Sequence, residues 1–388
     1  MITLGAVAAA CGSGSSTPAS VQTDPATAQP DAASAHGCSA DPIVSSERAV
    51  RSSGLDWISG TPLTDDFGEP SIDRGRVVPV LRPDGIPAID TPQCLAVGEV
   101  STLEDDAAVV AFELGGEARA YPLEILTWHE LVNDTVGGVP VTVSYCPLCN
   151  SAIVYDRRVG ARVLDFGTSG ALTQSSMVMY DRQTESLWTH FNGQSFAGEL
   201  AGTQLEFFAS SVLSWATFRS EFPDGLVLTR DTGFSRAYGT NPYPGYETCD
   251  DPFAPFITDD IDPRLPPKQR VVGIEIDGDA VAVPHDAVAA AGVVAVTLAG
   301  APLTVWHQPG TSSALDGRGV SEGIDVGSVG VFRPRAGGQD LTFVRTEAGF
   351  VDNETGSTWT IVGRAVEGPL AGENLEALPH LDTFWFAW

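Results

Sequence analysis

Two stretches of the chain align with each other without gaps. Val109 to Val154 matches Val271 to Asp316 at an offset of 162 residues, and 16 of the 46 paired positions are identical. A segment that recurs within one chain indicates a repeated structural unit. The repeat therefore predicts two related domains in tandem, produced by an internal duplication.

The two copies differ at three positions that can carry chemistry. The first copy has Cys146 and Cys149 in a Cys-Pro-Leu-Cys motif, and it has His129. In the second copy these residues are replaced by glutamine, threonine and alanine. Since the scaffold can be built without two thiols and an imidazole, we expect the chemistry in the first copy. The second copy is expected to cover that site or to bind something else.

The sequence around the cysteines has the pattern of β structure. Residues 139–145 alternate and are rich in β-branched side chains, and a strand pattern resumes at residues 152–155. Residues 122–133 are the best helix candidate of the first copy. We therefore predict a mainly β, β-rich α+β fold in which the cysteines occupy a strand–turn–strand knuckle.

A second block also recurs. Asp181, Thr184 and Trp188 form a D-x-x-T-x-x-x-W pattern that is matched by the segment from Asp352 to Trp359. Asp and Thr side chains commonly cap turns, and a Trp packs well beneath one. We interpret the pattern as a structural hairpin.

Composition and the repeat together suggest a domain layout. We predict a signal at residues 1–11, a tether at 12–45, a first domain at 46–224 with its core at 105–222, a linker or elaborated loop at 225–269, and a second domain at 270–388.

The N-terminus resembles the end of a bacterial lipoprotein signal. A short apolar run ends in Ala-Ala-Ala before Cys11, and a Ser-, Thr-, Pro- and Ala-rich tract follows. We expect Cys11 to be lipidated and to anchor an extracytoplasmic protein to the membrane, or the protein to be secreted if it is not lipidated. No apolar run reaches the length of about 20 residues that a spanning helix needs.

Charge narrows the range of partners. The formal net charge is −29, with 50 acidic residues against 21 basic ones. Such a surface repels phosphate groups, so we predict no nucleic-acid partner. No phosphate-binding loop, nucleophile elbow, zinc-protease motif or dinucleotide fingerprint occurs. A protein or small-molecule partner, and an enzymatic activity, are left open.

Several motifs in order resemble one family. The chain is similar to the family catalogued as domain of unknown function 3179, over roughly residues 80 to 388. The resemblance is carried by Tyr121-Pro-Leu-Glu-Ile-Leu, Trp128-His-Glu-Leu-Val-Asn-Asp134, Tyr145-Cys-Pro-Leu-Cys149, Val178-Met-Tyr-Asp-Arg182, Arg264-Leu-Pro-Pro-Lys268 and the closing Trp385-Phe-Ala-Trp388. It implies an exported or membrane-attached protein of no settled activity. The family usually has Gly after the second cysteine, where this chain has Asn150.

Three interpretations of the cysteine pair compete. In the first, Cys146 and Cys149 bind a soft metal ion, copper before zinc, together with His129. His190 and Met179 are further candidate ligands. Glu130 and Tyr145 are expected beside the ligands, where Glu130 would orient the imidazole or act as an acid or base.

In the second interpretation the pair is a redox dithiol of a thiol–disulfide oxidoreductase. Catalytic pairs of that kind open a helix, whereas residues 150–155 here have the pattern of a strand. In the third, the pair is structural and the protein is a cell-surface binding module. Of the remaining cysteines, any two of Cys38, Cys94 and Cys249 could form a disulfide in an exported protein.

Overall fold

The computed structural model describes residues 35–388 except 62, 63, 66, 251 and 253–255. Strands account for 41% and helices for 10% of the structure, which confirms the predicted mainly β fold. No helix in the described part is long and apolar enough to cross a membrane. The predicted signal with Cys11, and the tether as far as residue 34, lie outside the described residues.

The first half begins with short elements and continues into three sheets whose strands pair mostly antiparallel. Its elements are β1 (His36–Gly37), α1 (Gly54–Ile58), β2 (Val78–Pro79), β3 (Gln93–Ala96), β4 (Ala108–Leu114), β5 (Glu117–Pro122), α2 (Leu123–His129), β6 (Leu131–Val136), β7 (Val139–Cys146), β8 (Ser151–Asp156), β9 (Arg158–Val159), β10 (Arg162–Val163), β11 (Phe166–Thr173), β12 (Ser176–Asp181), β13 (Leu187–Thr189), β14 (Ser195–Ala197), β15 (Phe207–Phe208), β16 (Ser211–Ser214), α3 (Trp215–Glu221) and β17 (Leu226–Leu228). They form sheets in the orders β1-β3-β17-β5-β4-β16, β15-β8-β7-β6 and β14-β13-β12-β11-β2, with β9 and β10 as a separate ribbon.

The second half has corresponding units. Its elements are β18 (Arg270–Ile276), β19 (Asp279–Pro284), α4 (His285–Ala291), β20 (Val293–Leu298), β21 (Ala301–Gln308), β22 (Ser328–Arg333), β23 (Arg335–Ala336), β24 (Gln339–Asp340), β25 (Phe343–Thr346), β26 (Gly349–Asp352), β27 (Thr358–Trp359), β28 (Ala365–Glu367), β29 (Glu376–Ala377) and β30 (Leu381–Phe384). The sheet orders are β19-β18-β30, β20-β21-β22-β29 and β25-β26-β27-β28, with β23 and β24 as a ribbon.

The two halves repeat one order of elements. From β4 to β7 and from β18 to β21 the bounds of each strand and helix differ by 162 residues at both ends, which is the offset of the sequence repeat. The later strands also pair in the same way, since β15 joins β8 as β29 joins β22, and β16 joins β4 as β30 joins β18. These equalities support the duplication, which stays a hypothesis about the origin of the chain.

The predicted helix is shorter than the sequence pattern indicated. It was expected over residues 122–133, but α2 ends at His129 and β6 begins at Leu131. Glu130 breaks the helix with φ of 60°. The β-branched residues Val132, Thr135 and Val136 then fit a strand better than a helix, and all three are buried there.

The two halves share a hydrophobic core. One buried cluster contains Trp215 and Phe218 of the first half together with Trp306 and Trp359 of the second. One strand of each half also packs against the other half, β16 on β22 and β30 on β8. The halves therefore stabilise each other and are not independent domains joined only by a linker.

The segment predicted as a linker starts inside the first half. Residues 226–228 form β17, which pairs antiparallel with β3 and parallel with β5. The predicted boundary at residue 225 therefore falls within a sheet. The downstream residues Tyr243 and Tyr246 belong to one hydrophobic cluster with Leu148, which lies in the turn between the two cysteines.

Cys38 and Cys94 form the disulfide that the sequence could not assign. Both residues are buried, and the bond ties β1 to β3 next to β17. It closes a loop across a sequence separation of 56 residues. The bond therefore fixes the start of the described chain to the largest sheet.

We expect the Cys38→Ala/Cys94→Ala variant to lose about 4 kcal/mol of unfolding free energy, because a cross-link of this span restricts the unfolded chain. Chemical denaturation of the oxidised protein and the variant measures the difference. A loss below about 1 kcal/mol would show that the bond does not constrain the unfolded state.

Candidate metal centre

The Cys-Pro-Leu-Cys motif forms a tight turn between two paired strands. Cys146 is the last residue of β7 and pairs with Ser151, the first residue of β8. The backbone N–H of Asn150 donates to the Pro147 carbonyl at 3.3 Å, and Asn150 has φ of 51°. Asn tolerates this left-handed conformation better than most residues, so the turn forms here without a glycine. The predicted strand–turn–strand knuckle is confirmed.

A buried polar network holds the turn from one side. With its amide oxygen facing Arg270, Asn150 donates to the Tyr145 hydroxyl at 3.0 Å and accepts from Arg270 Nη1 at 2.9 Å. The same guanidinium makes a bidentate pair with Glu247, at 2.6 and 2.7 Å, and lies 3.3 Å from Asp382. Because Arg270 and Asp382 belong to the second half, the cysteine turn is oriented by both halves.

The C-terminal strand of the second half covers the turn directly. The backbone N–H of Phe384 donates to the Cys149 carbonyl at 3.1 Å, and the Thr383 hydroxyl donates to the same oxygen at 2.9 Å. Ser151 donates its hydroxyl to Thr383 at 2.7 Å. Four groups of β8, β30 and the turn are thus tied together, and the expectation that the second copy covers the site agrees with this contact.

His190 is brought to the cysteines by the D-x-x-T-x-x-x-W hairpin. Asp181 accepts from the backbone N–H of Thr184 at 2.6 Å and from the indole N–H of Trp188 at 2.9 Å, as the structural interpretation of this motif predicts. The indole is fully buried, so β13 cannot rotate freely. His190 follows two residues later, and its carbonyl accepts from the Tyr155 hydroxyl at 2.5 Å.

The three side chains form a compact, buried group. The two sulfur atoms and an imidazole nitrogen of His190 all lie within 4.8 Å of one another, and Cys149 Sγ is 4.0 Å from His190 Nδ1. The ligand atoms of a tetrahedral site with metal–sulfur bonds of about 2.3 Å and metal–nitrogen bonds of about 2.0 Å lie about 3.5 to 3.8 Å apart. A contraction of about 1.3 Å at most closes the group around one ion.

The two thiols differ in their tendency to ionise. Burial raises the pKa of the Cys146 thiol, and the hydrogen bond with Cys149 raises it further. Burial also acts to raise the pKa of Cys149, but hydrogen bonds with Cys146, Ser151 and Ser176 outweigh it and lower the pKa below its ordinary value. Cys149 therefore forms the thiolate more readily, and the thiolate is the form that binds metal.

The imidazole of His190 is in the neutral form that can bind a metal ion. Burial lowers the pKa of its imidazole, so the ring is uncharged at neutral pH and keeps a lone pair. Its Nε2 is buried and has no hydrogen-bond partner in the described residues. A buried nitrogen without a partner is uncommon in proteins. The Nδ1 atom faces Cys149 at 4.0 Å, so the ring carries no strong hydrogen bond that metal binding would have to break.

His129 is not part of this group. Its Nδ1 lies 2.7 Å from the Pro87 carbonyl oxygen and its Nε2 lies 2.6 Å from the Tyr238 hydroxyl. Both ring nitrogens are thus occupied, and the ring also packs against Phe234. The prediction of His129 as the third ligand is wrong, because α2 directs this side chain toward the segment after β17 instead of the cysteine turn.

Glu130 and Tyr145 flank the cysteines without orienting His129. The carbonyl of Glu130 accepts from the backbone N–H of Tyr145 at 2.8 Å. Burial raises the pKa of the Glu130 carboxyl, and the nearby Cys146 raises it further. Glu130 is thus a neighbour of Cys146, while Tyr145 acts on the turn through Asn150.

Two methionines lie in the apolar surroundings of the cysteines. Met177 and Met179 are buried in one hydrophobic cluster with both cysteines. The Met177 carbonyl accepts from the backbone N–H of His190 at 3.1 Å. A thioether of Met179 as a further ligand stays a prediction.

One sequence signal marks His190 as well as His129. At the offset of 171 residues that relates Asp181 to Asp352, His190 falls opposite Ile361. The second half therefore lacks this imidazole as well as both thiols at the aligned positions. The same comparison favoured His129, so loss in the second copy alone could not choose between the two histidines.

The burial of the pair opposes thiol exchange with another protein. Cys146 is 1% exposed and Cys149 is not exposed, and Cys146 ends a strand where exchange proteins have the start of a helix. A thiol of a partner protein cannot approach these sulfurs in line without opening the turn.

The burial of His129 can be tested through the pH dependence of protein stability. Burial lowers its pKa from 6.5 to about 4. The unfolded chain therefore binds more protons than the folded chain between about pH 6.5 and pH 4, and stability falls as the pH falls through this range. We expect protonation of this residue to lower the free energy of unfolding by about 3 kcal/mol as the pH falls through the range. The His129→Gln variant should lack that part of the pH dependence. Denaturation at pH 7 and pH 4.5 compares the two proteins, and equal slopes would contradict the assignment.

Comparison with known proteins gives a family but no activity. A family model described as a protein of unknown function, DUF3179, matches residues 83–388. No curated protein and no solved structure matches the chain. The matched range includes the second half, the first half from residue 83 onward, the cysteine turn and His190. The chain therefore belongs to the DUF3179 family.

Proposed function

We propose that the protein binds one soft metal ion through Cys146, Cys149 and His190, with copper(I) as the first candidate and zinc as the second. The observation that carries this proposal is the buried grouping of two thiols and one imidazole within 4.8 Å. Thiolates favour copper(I) and zinc over hard cations such as magnesium or calcium. The apolar cluster around the cysteines excludes water and so strengthens the metal–ligand attraction.

The number of ligands favours copper(I). In the part of the chain that the structure describes, cysteine, histidine and carboxylate side chains form one group of this kind, and it has three members. Copper(I) is well satisfied by three soft ligands, whereas structural zinc is almost always four-coordinate. For zinc, the fourth ligand would come from Met179 of the same cluster or from Ser176, whose Oγ is 3.7 Å from Cys149 Sγ.

The second half does not repeat the site. The residues that align with the three ligands are Gln308, Thr311 and Ile361. We therefore infer one ion per chain. Under the duplication hypothesis the second half keeps the scaffold and supplies the strand that covers the cysteine turn.

We place the protein outside the cytoplasm, attached to a membrane through a lipid on Cys11. The Cys38–Cys94 bond supports an oxidising compartment, since structural disulfides are rare in the cytoplasm. There, delivery or sequestration of the metal at the cell surface is the expected role. The net charge of −29 continues to argue against a nucleic-acid partner.

Titration of the anaerobically purified, reduced protein with copper(I) against a colorimetric chelator tests the proposal. We expect one equivalent to bind per chain. The Cys146→Ser/Cys149→Ser variant should lose this binding, because serine hydroxyls are poor ligands for copper(I). His190→Gln should weaken binding at least tenfold, an estimate from the loss of one of three ligands.

His129→Gln is the matched control, since it removes a buried imidazole of the same half that does not face the cysteines. It should bind copper(I) as the parent protein does. Equal binding by the double-serine variant would overturn the proposal. If the protein binds no metal and instead forms a readily reducible Cys146–Cys149 bond, the evidence would favour a thiol–disulfide oxidoreductase. A bond that resists reduction would favour a binding module with a structural pair.

A further inference from the structure

A cleft between the two halves lies next to the buried cysteine–histidine group. Its volume is about 600 Å³, within the range typical of small-molecule sites. One wall comes from the first half through Phe191 and Phe207. The other comes from the second half through Gly273, Leu381 and Trp388. The cleft is thus a product of the way in which the halves pack.

The floor of the cleft is the outer face of the cluster that holds the thiols. Leu205 and Leu381 line the cleft and belong to the same buried cluster as Cys146 and Cys149. Phe191, which follows His190 in the chain, also lines the cleft, and its ring centroid is 6.2 Å from that of Trp388. The cleft therefore borders the cluster that contains both thiols, and one of its lining residues is the chain neighbour of His190.

A second contact links the lining of the cleft to His190. Phe207 lines the cleft and packs on Tyr155 with ring centroids 4.9 Å apart. The Tyr155 hydroxyl donates to the carbonyl of His190. A displacement of Phe207 would therefore move Tyr155 and disturb its hydrogen bond to the backbone of His190, a proposed ligand.

The opposite side of the cysteine turn is closed by stronger contacts. The Tyr246 hydroxyl donates to the Leu148 carbonyl at 2.8 Å. The Cys149 carbonyl is held by two donors of β30, Thr383 and Phe384. Opening the turn at these contacts requires breaking buried hydrogen bonds, whereas Phe191 and Trp388 meet at the cleft through ring packing.

The charged side chains that line the cleft favour a ligand of positive charge. Glu206, Glu275 and Asp277 line it and are exposed. No lysine or arginine is among the described residues of its lining. Burial lowers the pKa of His380, so this side chain is neutral at neutral pH. Carboxylates around aromatic walls favour a cation with an apolar shell.

We propose that this cleft is the docking site for a small cationic copper(I) complex, from which the metal passes to Cys146, Cys149 and His190. This inference rests on the proposed metal-binding function and names its entry route. In the transfer, copper–donor bonds break as copper–sulfur and copper–nitrogen bonds form. The thiol protons go to solvent, the donor molecules leave, and copper stays in the +1 state.

The rate of copper(I) loading tests the route. Stopped-flow measurements compare a cationic probe, the copper(I)–acetonitrile complex, with an anionic one, the copper(I)–bicinchoninate complex. The Glu206→Gln/Glu275→Gln/Asp277→Asn variant should load about tenfold more slowly from the cationic probe at low ionic strength. Loading from the anionic probe should not slow. The difference should disappear at high salt.

The matched control removes the same charge elsewhere. Glu347, Glu367 and Glu373 are exposed and do not line the cleft, so their triple Gln variant changes the net charge equally. It should load at nearly the parental rate. Both variants should reach the parental stoichiometry, since none of the six carboxylates belongs to the ligand group.

The outcomes separate the two proposals. Equal slowing by both triple variants, or by neither, overturns the entry route while leaving the metal site intact. Failure of the parent protein to retain copper from either probe overturns the metal site itself. Slowing that is confined to the cleft variant and to the cationic probe supports the route.

Discussion

The carbonyl of Cys149 links the cysteine turn of the first half to the last strand of the second half. It accepts hydrogen bonds from Thr383 and from the backbone of Phe384, which belong to the last strand of the chain. Arg270, at the start of the second half, holds the adjacent Asn150. The geometry of the cysteine turn therefore depends on the packing of the whole molecule, and the large shared core around Trp306 and Trp215 is what keeps that packing fixed. A metal site built in this way is preorganised, because the cost of holding the ligands together is met during folding.

Burial decides which chemistry this turn can perform. The same Cys-x-x-Cys spacing serves metal binding and thiol exchange, and the difference lies in access and in the group that faces the sulfurs. Here both sulfurs are buried, and the neutral imidazole of His190 completes the group. Thiol exchange needs an exposed sulfur, whereas a metal ion needs only a narrow route through side chains.

The sequence predicted the mainly β class, the knuckle at the cysteines and the D-x-x-T-x-x-x-W hairpin, because each depends on local pattern and on turn chemistry. It ranked His129 ahead of His190 as the third member of the cysteine group, whereas the structure brings His190 to the thiols. His129 and His190 both belong to the first half and both lack a counterpart in the second. Which of them reaches Cys149 depends on long-range packing, through Trp188 and Asp181 for one and through Tyr238 for the other. The pairing of Cys38 with Cys94 depended in the same way on the alignment of β1 with β3, which spacing along the chain does not reveal.

X-ray absorption at the copper edge of the loaded protein tests the central claim most directly, since it counts the atoms bound to the metal. The account predicts copper(I) with two sulfur neighbours at about 2.2 to 2.3 Å and one nitrogen neighbour at about 2.0 Å, with the nitrogen lost in His190→Gln and kept in His129→Gln. A copper environment of nitrogen and oxygen atoms alone, or a sulfur signal unchanged in Cys146→Ser/Cys149→Ser, would contradict it.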